Sequence, residues 1–189
     1  MNPMHISPLQ KTISRVFPNR TVASAAEVIF LLGIGMLAVV LHARLRMPMH
    51  LPGRQGVLFM ALILTSKGLS RYPFAASLSG IGAATLLLIP GLGFHDPFIA
   101  INYLFLGCII DLVGGFTTNF TSGRWLVAIL CGACWMFIPL FRLAMSLLVE
   151  MPMGAFRSGY IYPFFTHLMF GIAGGLIAAG LLTLADKKS

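Results

Sequence analysis

The residues of this chain that could do chemistry are few, and most of them cluster. Arg44, Arg46, His50, Arg54 and Gln55 fall within one short stretch that also holds Pro48, Pro52, Gly53 and Gly56. Two prolines and two glycines forbid a continuous helix there, so the stretch is a loop. Its guanidinium and amide donors suit a carboxylate or a phosphate. Two readings of the cations stand: they reach lipid phosphates, or they hold an anion. Further along, Asn102 and Tyr103 sit beside His95 and Asp96, Arg142 interrupts a long apolar run, and Tyr160 opens the last one. If the apolar runs are helices that go up and down, these residues return to the same end as the loop. His50, Arg54, Gln55, Asn102, Tyr103, Arg142 and Tyr160 would then line a pocket for a small, partly apolar anion. Arg142 has a second reading, a pair with Glu150.

Other polar groups have structural as well as functional readings. Asp111, in Gly107-Cys-Ile-Ile-Asp111, is either a satisfied carboxylate or a site, since charge inside an apolar segment is expensive. Glu27 favours a helix N-terminus or contacts a partner. His167 is a hydrogen-bonded core residue or, with His42, a candidate ligand. Cys131 and Cys134 share one helical face in an apolar run with no second pair, which favours packing over redox or metal chemistry. Ala23, Ala25 and Ala26 open the first apolar run. Gly171, Gly174, Gly175, Ala178 and Ala179 form small-x-x-x-small repeats in the last. Both patterns allow close helix approach, within the chain or to a partner subunit.

The elements that must position these residues follow from composition. The chain has 189 residues, 58% hydrophobic and 10% charged, with a mean hydropathy of +0.90. A soluble domain carries about 25% charged residues. The balance excludes disorder and argues against nucleic-acid binding despite a net charge of +8. The expected fold is all-α: a polytopic membrane bundle of about six transmembrane helices, with membrane lipid as its solvent. The spans are read at 22–43, 56–67, 73–89, 98–115, 124–149 and 160–185. Residues 1–21 form a polar lead-in and 186–189 a tail. With both termini cytoplasmic, the inner segments carry Lys11, Arg15, Arg20, Lys67, Arg71, Arg124, Lys187 and Lys188. The outer loops carry Arg44, Arg46, Arg54 and Arg157. The bias fits the rule that cytoplasmic loops are basic, and three of the four exceptions lie in the first loop. The sequence has no Walker A motif and no His-Glu-x-x-His or Gly-x-Ser-x-Gly motif, so it is not read as an enzyme, and no cofactor is expected.

In size, hydropathy and loop placement from Val22 to Ala185 the chain resembles the S components of energy-coupling-factor (ECF) transporters. The resemblance rests on Ala23, Ala25 and Ala26, on the loop Pro48 to Gly56, and on Asp96-Pro97 to Gly107-Cys-Ile-Ile-Asp111. It implies a bacterial cytoplasmic (inner) membrane protein that captures a vitamin or other micronutrient from outside. It also implies docking through the first span onto a transmembrane coupling subunit served by two ATPase subunits. Ala23 is followed four residues later by Glu27, and Ala26 by Phe30, so the family's Ala-x-x-x-Ala docking pattern is not strictly present. Two other readings compete. One is a scaffold similar to the small rod-shape protein of the cell-wall elongation complex. The other is a membrane subunit of a redox or metal enzyme using His or Cys.

Overall fold

A computed structural model describes residues 8–45, 51–89, 92, 94, 96, 98–116, 123–149, 159 and 161–187. Among them the regular structure is all helical, with no strand. The helices are α1 (Pro8–Val16), α2 (Arg20–Arg44), α3 (Gly56–Leu69), α4 (Ala75–Leu87), α5 (Ile99–Phe116), α6 (Arg124–Val149) and α7 (Ile161–Asp186). α6 tightens into a 3-10 turn at Cys134–Met136 and then continues. Three helices, α2, α6 and α7, are long and apolar enough to cross a membrane, and α3, α4 and α5 are shorter apolar helices.

α1 departs from expectation. The polar lead-in was read without structure, yet Pro8–Val16 forms a helix against α2. Leu9 and Ile13 turn inward while Lys11 and Arg15 stay exposed. Asn19 then caps α2, its side chain accepting from Thr21 N at 2.9 Å.

The six apolar helices alternate in direction and fall into two groups of three. In one, α4 packs between α2 and α5; in the other, α7 packs between α3 and α6. The groups meet through α2 against α3 and through α5 against α6. Between them lies the core: Val39, Phe59, Met60, Ile63, Leu106, Ile110, Cys131 and Trp135.

Small residues hold each group together. Gly35 lies against Ser79 O and Gly82 against Leu32 O, so α2 and α4 approach on reciprocal glycines. Gly107 meets Ala76 O between α5 and α4. Gly132 and Gly171 face each other's carbonyls between α6 and α7, Gly175 meets Ala128 O, and Gly174 meets Val57 O. This closeness permits many dispersion contacts between the helices.

A direct test follows. A Cβ at Gly82 would overlap the Leu32 backbone, so Gly82→Val is expected to part α2 from α4 and cost about 1–3 kcal/mol. Gly33, on the same helix as Leu32, has nothing within 4 Å, and Gly33→Ala should leave stability unchanged or slightly raised. Thermal melts in detergent compare the two; equal melting temperatures would refute the tight α2–α4 contact.

Candidate functional site

The ends of the bundle differ in chemistry. At the end where α2 finishes, the turn 52–55 folds back over the helices. Gly53 takes a φ of +79° there, a left-handed conformation that glycine adopts without strain. Its carbonyl accepts from Trp135 Nε1 at 3.1 Å, and a Cβ on it would strike the His167 ring. The turn is thus pinned between α6 and α7.

Beneath it is a cavity of about 260 Å³, lined by His42, Gly53, Gln55, Phe94, Asp96, Ile99, Asn102, Tyr103, Trp135, Ile138, Arg142 and His167. Helical spacing explains the shared wall of α6, since Trp135, Ile138 and Arg142 are at i, i+3 and i+7. Two lining rings, Tyr103 and Trp135, are backed by Phe59 of the core, with ring centroids 4.4 Å apart for Phe59 and Tyr103 and 5.5 Å for Phe59 and Trp135.

Most polar groups in the wall are already engaged. Arg142 is ion-paired with Asp96, Nη2 at 2.6 Å and Nε at 2.9 Å from Oδ2. Asp96 Oδ1 accepts from Phe98 N at 3.0 Å, fixing the start of α5. Tyr103 Oη and His42 Nδ1 are hydrogen-bonded at 2.8 Å. His167 Nδ1 lies 2.7 Å from Pro163 O. A carbonyl only accepts, so Nδ1 carries a proton and Nε2 of the neutral ring is left as an acceptor.

Asn102 is the exception. It is 1% exposed, and neither its Oδ1 nor its Nδ2 has a hydrogen-bond partner. Gln55 Oε1 is likewise buried without one, while its Nε2 donates to Leu45 O at 3.5 Å. Buried amides in folded proteins are almost always paired.

The structure therefore brings together Gln55, Asn102, Tyr103 and Arg142 of the residues expected at this site. Arg54, expected to lead it, is half-buried in the same turn but is not among the lining residues. Arg44 is exposed. His50 and Tyr160 lie outside the described residues, as do Arg46 and Glu150, so the Arg142–Glu150 reading lies there too. Sequence reasoning missed Gly53, Phe94 and Trp135. The spacing of Trp135 from Arg142 was the available signal for one of them.

At the opposite end, the acids are saturated. Glu27, 1% exposed, accepts from Ser70 Oγ at 2.7 Å and Arg71 N at 3.1 Å and pairs with Arg71 Nε at 3.3 Å. Asp111 pairs with Lys67 and accepts from Ala76 N at 3.2 Å and from Ser77 N and Oγ, each at 2.6 Å. It thereby caps the N-terminus of α4, where orphan N–H groups and the helix dipole favour an anion. Arg124 pairs with Asp186. A wider cavity of about 880 Å³ opens among Lys67, Tyr72, Cys108, Asp111, Arg124 and Asp186, and the ionised side chains along it already have partners. Asp111 and Glu27 thus hold the turn between α3 and α4 and the start of α4.

The proposed docking residues divide. Gly171 and Gly175 are spent on α6, against Gly132 and Ala128. This corrects the expectation that their face meets a partner subunit, because a backbone already fills it. On α2, Ala23 is buried, Ala26 half-buried and Ala25 exposed. Cys131 is buried in the core, and Cys134 Sγ donates to Leu130 O at 3.4 Å. Among the described residues no three His, Cys, Asp or Glu side chains gather as a metal site.

No protein-family profile, curated protein or solved structure matches this chain.

Proposed function

We propose that this chain is the substrate-binding membrane component of a primary uptake transporter, of the ECF S-component type. In this reading it spans a bacterial cytoplasmic membrane six times with both termini inside, and the cavity under the turn 52–55 opens to the outside. The chain is not itself an enzyme; a transmembrane coupling subunit and two ATPase subunits supply the energy.

The observation that carries the reading is Asn102, a fully buried amide with both ends unpaired beside a small, ring-lined cavity. A folded chain does not leave such a group empty without a use, and a captured small molecule is the use that fits. The apolar perimeter supports the membrane setting: Ile29 is 68% exposed, Leu112 62% and Leu148 78%. Separate helices thus share one exposed apolar surface of the kind lipid covers. Ala25, exposed near the start of α2, leaves room for a partner helix at the inner end.

The reading is tested by isolating the tagged chain from its native membranes in mild detergent. Two ATPase polypeptides and a larger helical subunit are expected with it, and a small molecule should be released on denaturation. A chain that comes out alone and empty would end the transport proposal.

A further inference from the structure

The residues around the cavity also define what it takes, and this step rests on the capture reading above. We propose that its occupant is an uncharged, flat heteroaromatic ring whose edge presents a hydrogen-bond donor beside an acceptor, as an amide or amidine edge does. The sequence alone pointed to an anion, and three features of the cavity point away from one.

The first is charge. Arg142 is the one cation among the described residues lining the cavity, and Asp96 neutralises it through two contacts to a single oxygen, at 2.6 and 2.9 Å. An anion entering here would compete with a carboxylate already in place, and would face Asp96 itself. The ion pair costs an incoming neutral molecule nothing.

The second is shape. His42, Phe94, Tyr103, Trp135 and His167 all contribute rings to the wall. The Trp135 and His167 rings are near-parallel, 24° apart with centroids 6.2 Å apart. A flat ring presents the large faces and edges that such walls hold best. The volume of about 260 Å³ lies below the range of drug-sized sites, so the occupant is a ring of one or two cycles with little attached to it.

The third is the inventory of unmet hydrogen bonds. Asn102 offers one acceptor and one amino group, both unpartnered. A side-chain amide meets an adjacent donor and acceptor with two parallel bonds, as it does on a base edge. Gln55 Oε1 adds a second unmet acceptor. Acceptors thus outnumber donors, which calls for a ligand carrying N–H groups and opposes a carboxylate, which carries none.

The test uses the full chain purified in detergent. Any compound released on denaturation is identified by mass spectrometry. Binding of uracil, cytosine, adenine and 2-pyridone is then compared with that of the anions orotate and picolinate by equilibrium dialysis at pH 7. A neutral heteroaromatic ring is expected, either released or bound at least tenfold better than its anionic counterpart. Asn102→Leu should weaken that binding at least tenfold while the chain stays folded by gel filtration. Asp96→Asn should release Arg142 and shift the preference toward orotate by at least tenfold. A released or preferred compound that is anionic, or that has no planar ring, overturns the ligand class and leaves capture standing. Unchanged neutral binding in folded Asn102→Leu also overturns it. A chain that releases nothing and binds no probe refutes the capture reading itself.

Discussion

Asn102→Leu is expected to make the ligand-free chain more stable. Leucine has nearly the shape of asparagine and no polar atoms to leave unpaired. Asn102 is 1% exposed and its amide has no partner at either end. Burying an unpaired amide costs about 1–3 kcal/mol by mutational measures. Removing it should return much of that, and the neighbours Tyr103 and Ile99 are already apolar or ring-walled. The melting temperature in detergent should rise by several degrees, at about 2–4 °C per kcal/mol for a chain of this size. The same change should remove ligand capture. A core residue that merely packs would show the opposite pattern, with stability lost on substitution. A lower melting temperature for Asn102→Leu would therefore show that the amide is satisfied and would remove the main support for the site.

Lys67→Met is expected to produce the largest loss of stability of any single change at the other end. Lys67 and Asp111 have side-chain exposures of 9% and 7%. The pair lies between α3 and α5, and Asp111 also holds the first N–H groups of α4. Lys67 Nζ further donates to Pro73 O at 3.1 Å, tying down the turn between α3 and α4. Methionine keeps the stem and removes the charge, so Asp111 is left buried and uncompensated. Breaking one side of a buried pair costs about 3–5 kcal/mol. The backbone donors on Asp111 offset part of this. Lys67→Met combined with Asp111→Asn should lie closer to the parent than Lys67→Met alone, because the stranded charge is gone and one acceptor for α4 remains. A double-mutant cycle of thermal or denaturant unfolding reads the coupling. If Lys67→Met changes stability by less than about 0.5 kcal/mol, the level of an ordinary surface change, the pair is not buried as described.

The helices were legible because apolar runs and their breakers are written locally. The run expected at 22–43 is Arg20–Arg44, that at 98–115 is Ile99–Phe116, and that at 160–185 is Ile161–Asp186. α1 was missed because nine mixed residues gave too little apolar signal to stand out from a polar tail. The site was half legible. Polar residues at helix ends, such as Asn102 and Arg142, betray themselves by interrupting greasy sequence. Trp135, Phe94 and Gly53 do not, because an aromatic wall and an aromatic core have the same composition. Pairings were not legible at all. Asp111 and Lys67 are 44 residues apart, and Arg142 and Asp96 are 46. Only the packing of α3 on the rest, and of α6 beside α5, selects one partner for each. The anion expectation was drawn from cations alone: they were countable in the sequence, but the pairing of Arg142 with Asp96 was not.

In the membrane setting proposed above, the lengths of α3 and α4 have a consequence for the surrounding lipid. At 14 and 13 residues and 1.5 Å per residue, each is about 20 Å long, against a hydrocarbon thickness of roughly 30 Å. Their neighbours α2, α6 and α7 are half again longer or more. A bilayer meeting such a perimeter cannot keep one thickness all the way round. It must pinch where α4, with Ile81 and Thr85 exposed, faces it and relax where the long helices do. Under that proposal the fold sets the direction of an uneven collar of deformed lipid, with the two leaflets closest beside the hairpin whose turn is held by Glu27 and Asp111.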